Sequence, residues 1–138
     1  MPEDEPGIAH MVPDVIKKVL SGQKPLQIFG DGTQTRTITH IDDIADGIVT
    51  AMGSPKALNE DFNISASEEM TVAEIARIVW EACDRDPDDF ELTHLPSFEV
   101  DVQRRWPSVE KAERLLGWRA RIGVREGIEG TARWLAAR

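Results

Sequence analysis

The segment from Gly30 to Arg36 combines two glycines with an arginine, a pattern that could present a cation just beyond a tight turn. Glycine adopts positive φ at little steric cost, so Gly30 and Gly32 favour a sharp chain reversal. The planar guanidinium fork of Arg36 matches the geometry of phosphate oxygens. Spacing alone favours a plain hairpin with a solvated arginine, and a phosphate contact is the alternative. The G-x-G-x-x-G spacing of a dinucleotide-binding loop is absent from this segment.

A second concentration of positive charge lies at Arg104 and Arg105, within the run Gln103-Arg104-Arg105-Trp106-Pro107. A local basic pocket in an otherwise acidic chain could hold a diphosphate. The competing interpretation, favoured by the sequence alone, is that these arginines neutralise the nearby Asp101 and Glu99.

Other polar residues fit structural roles better than chemical ones. Asp42 and Asp43 could form a carboxylate dyad or a metal site, but they are more typical of a helix start. His40 precedes them, and a single histidine at a helix start is usually structural. The tryptophans are expected to pack in the core or between subdomains, and they are Trp80, Trp106, Trp118 and Trp134.

Composition narrows the classes of protein. The 138 residues carry 16 basic and 25 acidic side chains, a net charge of −9, which argues against general binding of nucleic acid. No stretch approaches the roughly 20 apolar residues of a membrane span. The single Cys83 cannot form an internal disulfide and suits a reducing cytoplasm. The chain contains no tyrosine, so it cannot supply a phenolic acid or base.

Hydrophobic periodicity and turn signals predict a mixed α/β fold of one domain, 1–138, with short strands interleaved with helices and a loose lead-in over 1–10. Thr71 and Glu74 form the pattern of a capping box. The predicted helices cover 12–21, 42–52, 72–82, 109–116 and 124–137. The predicted strands cover 26–29, 62–64 and 90–94, and 34–40 is predicted to be a returning strand or an extended segment.

Taken in order, the motifs resemble those of a known family. They are Pro25–Arg36, His40–Gly47, Phe62-Asn63-Ile64, Met70–Ala76, Gln103-Arg104-Arg105 with Pro107, Lys111–Trp118, Glu126-Gly127-Ile128 and Trp134. The series resembles the C-terminal part of extended short-chain dehydrogenases, the NAD-dependent epimerase/dehydratase family. The Gln-Arg-Arg-x-Pro run is similar to that of UDP-glucuronate decarboxylases, with UDP-glucose epimerases and dTDP-glucose dehydratases as near alternatives.

The resemblance implies substrate-binding residues and no catalytic, cofactor-binding or metal-binding residue in this chain. Arg36 matches an arginine that binds the diphosphate, and Arg104 or Arg105 matches a second arginine near the same phosphates. Val12 and Pro13 match the segment beside the nucleotide base. Leu26–Phe29 resembles the strand that lines the uridine pocket, with Phe29 where tyrosine is common. Gln34, in the same motif as Arg36, is a further substrate-binding candidate. Ser108 stands where the family usually carries an aspartate.

The family pattern also implies parts that these residues do not contain. Family enzymes carry a Rossmann half with a glycine-rich NAD loop and a Tyr-x-x-x-Lys pair, and neither motif occurs here. We therefore expect a nucleotide-sugar-binding portion that is inactive alone, with NAD implied only for the full-length enzyme. The expected partners are a UDP- or dTDP-sugar and either a second copy or a Rossmann-domain chain, with no nucleic acid or membrane. The alternative is a non-enzymatic truncated paralogue acting as a binding or oligomerisation module.

Overall fold

The computed structural model describes residues 10–97 and 99–138, so nearly all of the expected lead-in 1–10 lies outside the described residues. The helices are α1 (Met11–Leu20), α2 (Ile41–Gly53), α3 (Val72–Ala82), α4 (Glu110–Leu116) and α5 (Val124–Ala136). The strands are β1 (Leu26–Phe29), β2 (Thr35–Arg36), β3 (Met70–Thr71) and β4 (Leu92–Leu95). Short 3-10 turns cover Pro55–Ala57 and Pro87–Asp89. The predicted helices are confirmed, with ends shifted by no more than one residue.

The hydrophobic core lies between α1, α3 and α5, with β1 along one side. Each of the three helices carries apolar residues at helical spacing, and burying that stripe is what holds an amphipathic helix in place. The largest fully buried side chains are Ile16, Val19, Leu26, Ile75, Val79 and Ile128. Because α2 contributes no residue to this cluster, its attachment must rest on other contacts.

The strands form two separate pairs. β1 runs parallel to β4, with Leu26 opposite Leu92, and β2 runs antiparallel to β3, with Thr35 opposite Thr71. The favoured hairpin between 26–29 and 34–40 is therefore wrong. The carbonyls of Gly32 and Gln34 accept the N–H groups of Ala73 and Val72, so the turn caps the start of α3 instead of folding β2 back on β1.

The predicted strand at 62–64 is also wrong. In the part of the chain that the structure describes, the backbone groups of residues 61–65 make no hydrogen bond. A strand requires a neighbouring strand to receive its backbone bonds, and the segments of the described chain that contact this one do so through side chains only.

Polar side chains fix the starts of α3 and α2. Thr71 Oγ1 accepts the N–H of Glu74, whose carboxylate accepts the N–H of Thr71, so the predicted capping box is confirmed. At α2, His40 Nδ1 accepts the N–H of Asp42. The buried Asp43 carboxylate accepts the backbone N–H groups of Arg121 and Ile122. The structural interpretation of this helix start therefore holds.

The outer side of α2 is apolar and exposed. We call it the α2 face; it consists of Ile41, Ile48, Val49 and Met52, with Leu58 just beyond the helix. Trp80 and Trp118 are buried in the core as expected. Trp106 and Trp134 are about half exposed, so they do not pack in the core, and their packing against another subdomain stays a prediction. No helix in the described residues is long and apolar enough to cross a membrane.

Candidate functional site

The loop after β1 has the geometry that its glycines predict. Gly30 and Gly32 adopt φ values of 73° and 82°. A Cβ atom at Gly30 would lie 2.9 Å from Gln34 Nε2, and one at Gly32 would lie 3.0 Å from Ile28 Cδ1. Both the backbone conformation and the available space therefore require glycine here.

Gln34 lies beneath this loop and not on its surface. Its side chain is 5% exposed, and Nε2 donates to the carbonyl of Phe29 over 2.7 Å. Gln34 Oε1 is buried and has no hydrogen-bond partner among the described residues. The carboxamide thus ties the end of β1 to the start of β2.

Arg36 is held by an acidic loop. Its Nη2 lies 2.8 Å from Asp101 Oδ1, and its Nη1 donates to the carbonyls of Thr35 and Val102. The Nε–H and one Nη2–H have no partner within the described chain, so they stay available to an anion. Asp101, expected beside Arg104 and Arg105, pairs with Arg36 instead.

Residues 103–105 extend the small β2–β3 sheet. Thr35 donates its N–H to the carbonyl of Gln103 and accepts the N–H of Arg105, which forms a parallel bridge between Thr35 and Arg104. Side chains alternate along a strand, so Thr35 and Arg104 share one face and Arg36 and Arg105 share the other. We call this second face the arginine face.

Glu69 occupies the face opposite the arginine face. Its Oε1 accepts the Thr35 hydroxyl over 2.6 Å and Arg104 Nε over 2.8 Å, and its Oε2 accepts Arg104 Nη2 over 2.9 Å. The Arg104 fork, together with the Thr35 hydroxyl, lowers the pKa of Glu69 from 4.5 to about 2. Arg104 also lies over the Trp106 ring, at 4.8 Å from its centroid.

Arg105 differs from its neighbour. Its backbone is anchored to Thr35 and to the hydroxyl of Thr37. Within residues 10–97 and 99–138, its exposed guanidinium makes no hydrogen bond or ion pair. The sequence left Arg104 and Arg105 as alternatives, and the structure separates them: one is paired with a carboxylate and the other is unpaired.

Two open cavities flank these residues. One, of about 330 Å³, lies at the carboxyl ends of the parallel strands β1 and β4 and is lined by Asp31, Gln34, His94 and Asp101. The other, of about 640 Å³, is lined by Phe62, Asn63, Arg104, Arg105 and Trp106. Their volumes fall within the range typical of small-molecule sites.

Phe29 ends β1, next to the first cavity, whereas Val12 and Pro13 belong to α1. The Phe29 ring is 36% exposed, and Lys18 Nζ sits 5.5 Å from its centroid while donating to the carbonyl of Gln27. Val12 packs against the core in the first turn of α1, and Pro13 is exposed in the same turn. The sequence did not single out Lys18 as a residue near Phe29. The available signal was its position in α1, one helical turn after Asp14.

The residues present do not fit NAD. The two glycines of the loop lead into β2, whereas a dinucleotide loop leads into a helix whose N-terminus receives the pyrophosphate. In the described chain, the first N–H groups of α3 are already bonded to the carbonyls of Gly32 and Gln34. Among the same residues, no group of three or more His, Cys, Asp or Glu side chains could hold a metal ion.

Comparison with known proteins gives the family. The family model described as GDP-mannose 4,6 dehydratase matches residues 2–131. UDP-glucuronic acid decarboxylase 1 of Danio rerio is 31% identical over 127 residues, which cover 92% of this chain and 29% of that protein. UDP-glucuronic acid decarboxylase 4 of Arabidopsis thaliana is 29% identical over 121 residues, 88% of this chain and 25% of that one.

A solved structure matches as well. UDP-glucuronic acid 4-epimerase from Bacillus cereus, in complex with UDP-glucuronic acid and NAD, superimposes with a TM-score of 0.82 at 28% identity. The match covers 99% of this chain and 42% of that chain. The chain therefore spans less than half of the length of these relatives.

Fold and sequence together match a part of the Rossmann-fold epimerases and dehydratases. The chain belongs to the NAD-dependent epimerase/dehydratase family of extended short-chain dehydrogenases, and it matches the family's C-terminal part. The family resemblance drawn from the motif series is thereby confirmed.

Proposed function

We propose that this chain is the nucleotide-sugar-binding portion of an NAD-dependent epimerase, dehydratase or decarboxylase acting on a UDP-sugar. The arginine face carries the proposal. Arg36 is paired with Asp101 but keeps two N–H donors without a partner in the described chain, and Arg105 has no partner among the described residues. The arginine face therefore offers one unpaired cation and two further N–H donors to an anion. Charge-assisted bonds from two guanidinium groups suit a diphosphate.

The UDP-sugar assignment draws support from the relatives. The Bacillus cereus structure contains UDP-glucuronic acid, and the two decarboxylases are named for the same compound. In this proposal Phe29, Val12 and Pro13 lie beside the base, Gln34 shapes the loop, and Arg36 and Arg105 bind the diphosphate. A dTDP-sugar is the alternative ligand. Such contacts, remote from the reacting carbon, orient the sugar and can contribute to rate.

We further propose that these 138 residues bind without turnover. They include no tyrosine, no Tyr-x-x-x-Lys pair and no loop that fits NAD, which instead belongs to the full-length family enzyme. The unpaired Cys83 suits a reducing, cytoplasmic location. Calorimetry with NAD⁺ is expected to show no binding, and micromolar binding would contradict this proposal.

The test of the binding site compares three arginine variants by calorimetry with UDP. Arg36→Ala and Arg105→Ala each remove a charge-assisted contact and are expected to weaken UDP binding by about tenfold or more. Arg114→Ala, on the exposed side of α4, removes the same charge and is expected to leave the affinity unchanged. Equal UDP affinities for all three variants would contradict the proposal that the arginine face binds the diphosphate. Parallel titrations with dTDP distinguish the alternative nucleotide.

A second candidate function is that of a binding or oligomerisation module, and the α2 face favours it. Exposed apolar side chains in one patch are typical of an interface. The backbone groups of residues 61–65 have no partner within the described chain and could pair with a strand from another chain. The occupant would be a second copy or a Rossmann-domain chain.

Light scattering tests this second candidate. The wild-type chain is expected to self-associate at high concentration, and a Val49→Glu/Met52→Glu variant is expected to be monomeric. Lys56→Glu, outside the α2 face, is the control for the added negative charge. A wild-type chain that stays monomeric at every concentration contradicts self-association.

A further inference from the structure

Glu69 lies on one side of the small sheet, and its contacts there affect which side chains are available to a ligand on the opposite side, the arginine face. Its carboxylate accepts one bond from Thr35 and two from Arg104. Thr35 and Arg104 are the two residues that face each other across the parallel bridge. One carboxylate therefore clamps both strands at the point where they pair.

The clamp also fixes the residues on either side of Arg105. Arg104 is bound to Glu69, and Trp106 donates its Nε1–H to the carbonyl of Ser67 over 3.0 Å. Between them, Arg105 is tied through its backbone only. Because neighbouring side chains alternate, holding Arg104 on the Glu69 side orients Arg105 towards the arginine face.

Glu69 has a second effect, on charge. With Arg104 paired to Glu69, that guanidinium is neutralised, and Arg105 is the unpaired cation of the run. Glu68, its sequence neighbour, is exposed and makes no contact within the described residues, so the effect belongs to one carboxylate of the two.

We infer that Glu69 is a positioning residue for anion binding: by clamping Thr35 to Arg104, it holds Arg105 on the arginine face and directs the ligand's phosphates to Arg105. This inference rests on the proposed function, because Glu69 affects ligand binding only if Arg105 binds the diphosphate. In this role Glu69 acts through its bonds to Thr35 and Arg104 and not through contact with the ligand.

The experiment is a double-variant cycle on the full 138-residue chain, read by NMR titration with UDP and with uridine. Glu69→Gln is expected to weaken UDP binding at least fivefold and to leave uridine binding unchanged, since uridine carries no phosphate. Glu68→Gln is the matched control and is expected to bind both ligands like the wild type. In an Arg105→Ala background, Glu69→Gln is expected to change UDP affinity by less than twofold.

The outcomes separate the two ideas. If Arg105→Ala weakens UDP binding but Glu69→Gln behaves like Glu68→Gln, the positioning role is wrong and the proposed function stands. If Glu69→Gln weakens UDP and uridine equally, together with a lower melting temperature, Glu69 is only structural and the inference is again wrong. If Arg105→Ala leaves UDP affinity unchanged, the proposed diphosphate site fails first.

Discussion

Asp101 Oδ1 lies 2.8 Å from Nη2 of Arg36, and the two side chains keep only 12% and 20% of their surface exposed. Partial shielding from water makes this pair stronger than an ion pair on the open surface. The contact joins β2 to the loop that follows β4, across 65 positions of the sequence. Arg36 is thus fixed by the protein before any ligand arrives.

Replacing Asp101 by asparagine should lower the free energy of unfolding by about 1–2 kcal/mol, because the half-buried Arg36 loses its counter-charge. Asp61→Asn is the matched control: Asp61 pairs with Lys111 but is fully exposed, so its loss should lower the free energy of unfolding clearly less than the loss of Asp101. Urea unfolding at neutral pH measures both. Equal costs would mean that burial adds nothing to the Arg36–Asp101 pair.

Asp43 is 3% exposed and accepts two backbone N–H groups, so its removal leaves two part-buried donors without this acceptor. Asp43→Ala should lower the free energy of unfolding by about 2–4 kcal/mol. Its neighbour Asp42 is exposed, and Asp42→Ala should cost no more than about 1 kcal/mol. Chemical denaturation of the two variants checks the difference, and a costlier Asp42→Ala would contradict the assigned roles.

Gly47 packs so closely that α2 tolerates no side chain there. A Cβ atom would lie 2.4 Å from Ile64 Cγ2 and 2.9 Å from Trp118 Cε2. Gly47→Ala should therefore destabilise the fold by about 1–3 kcal/mol through overpacking. Gly53, at the end of the same helix, has nothing within 4 Å, and Gly53→Ala should be neutral or stabilising by up to about 1 kcal/mol. Melting curves of both variants test the contrast in sign.

The lowered pKa of Glu69 predicts a specific response to acid. Its pKa falls from 4.5 to about 2 on folding, chiefly through the Arg104 fork, so the folded chain binds this proton more weakly than the unfolded chain. The stabilisation is therefore complete above about pH 5 and is lost as the pH falls towards 2.

Melting temperatures measured across this range test that response. The advantage of the wild type over Glu69→Gln should be largest near neutral pH and should shrink between about pH 5 and pH 2. The same comparison with Glu68→Gln should show a smaller difference. A wild-type advantage that is independent of pH would show that the Glu69 charge does not act through Arg104.

Local patterns in the sequence predict much of the fold. The helices follow from apolar residues repeated at helical spacing. The capping box of Thr71 and Glu74, three residues apart, marks the start of α3. β1 is likewise recognisable from its apolar run. The two arginine segments also stand out, because glycines precede Arg36 and prolines bound the run that contains Arg105.

The pairing of distant residues is not encoded in those patterns. Nothing near Glu69 in sequence indicates that it contacts Arg104, 35 positions away. For the same reason the hairpin prediction fails: the carbonyls of Gly32 and Gln34 bond to the N-terminus of α3, a partner that the local sequence does not reveal. The strand predicted at 62–64 has the right residues but lacks a neighbour in the described chain.

The attachment of α2 determines how this chain opens. Only Asp43 and Gly47 of the helix are buried, so α2 is joined to the remainder by directional polar bonds and one close approach, with little apolar area. Because all of these contacts are lost when the helix moves away, α2 should open as one cooperative unit. The core of α1, α3 and α5 should stay packed when it does so. Amide hydrogen exchange would then show α2 losing protection as a block, well before the core.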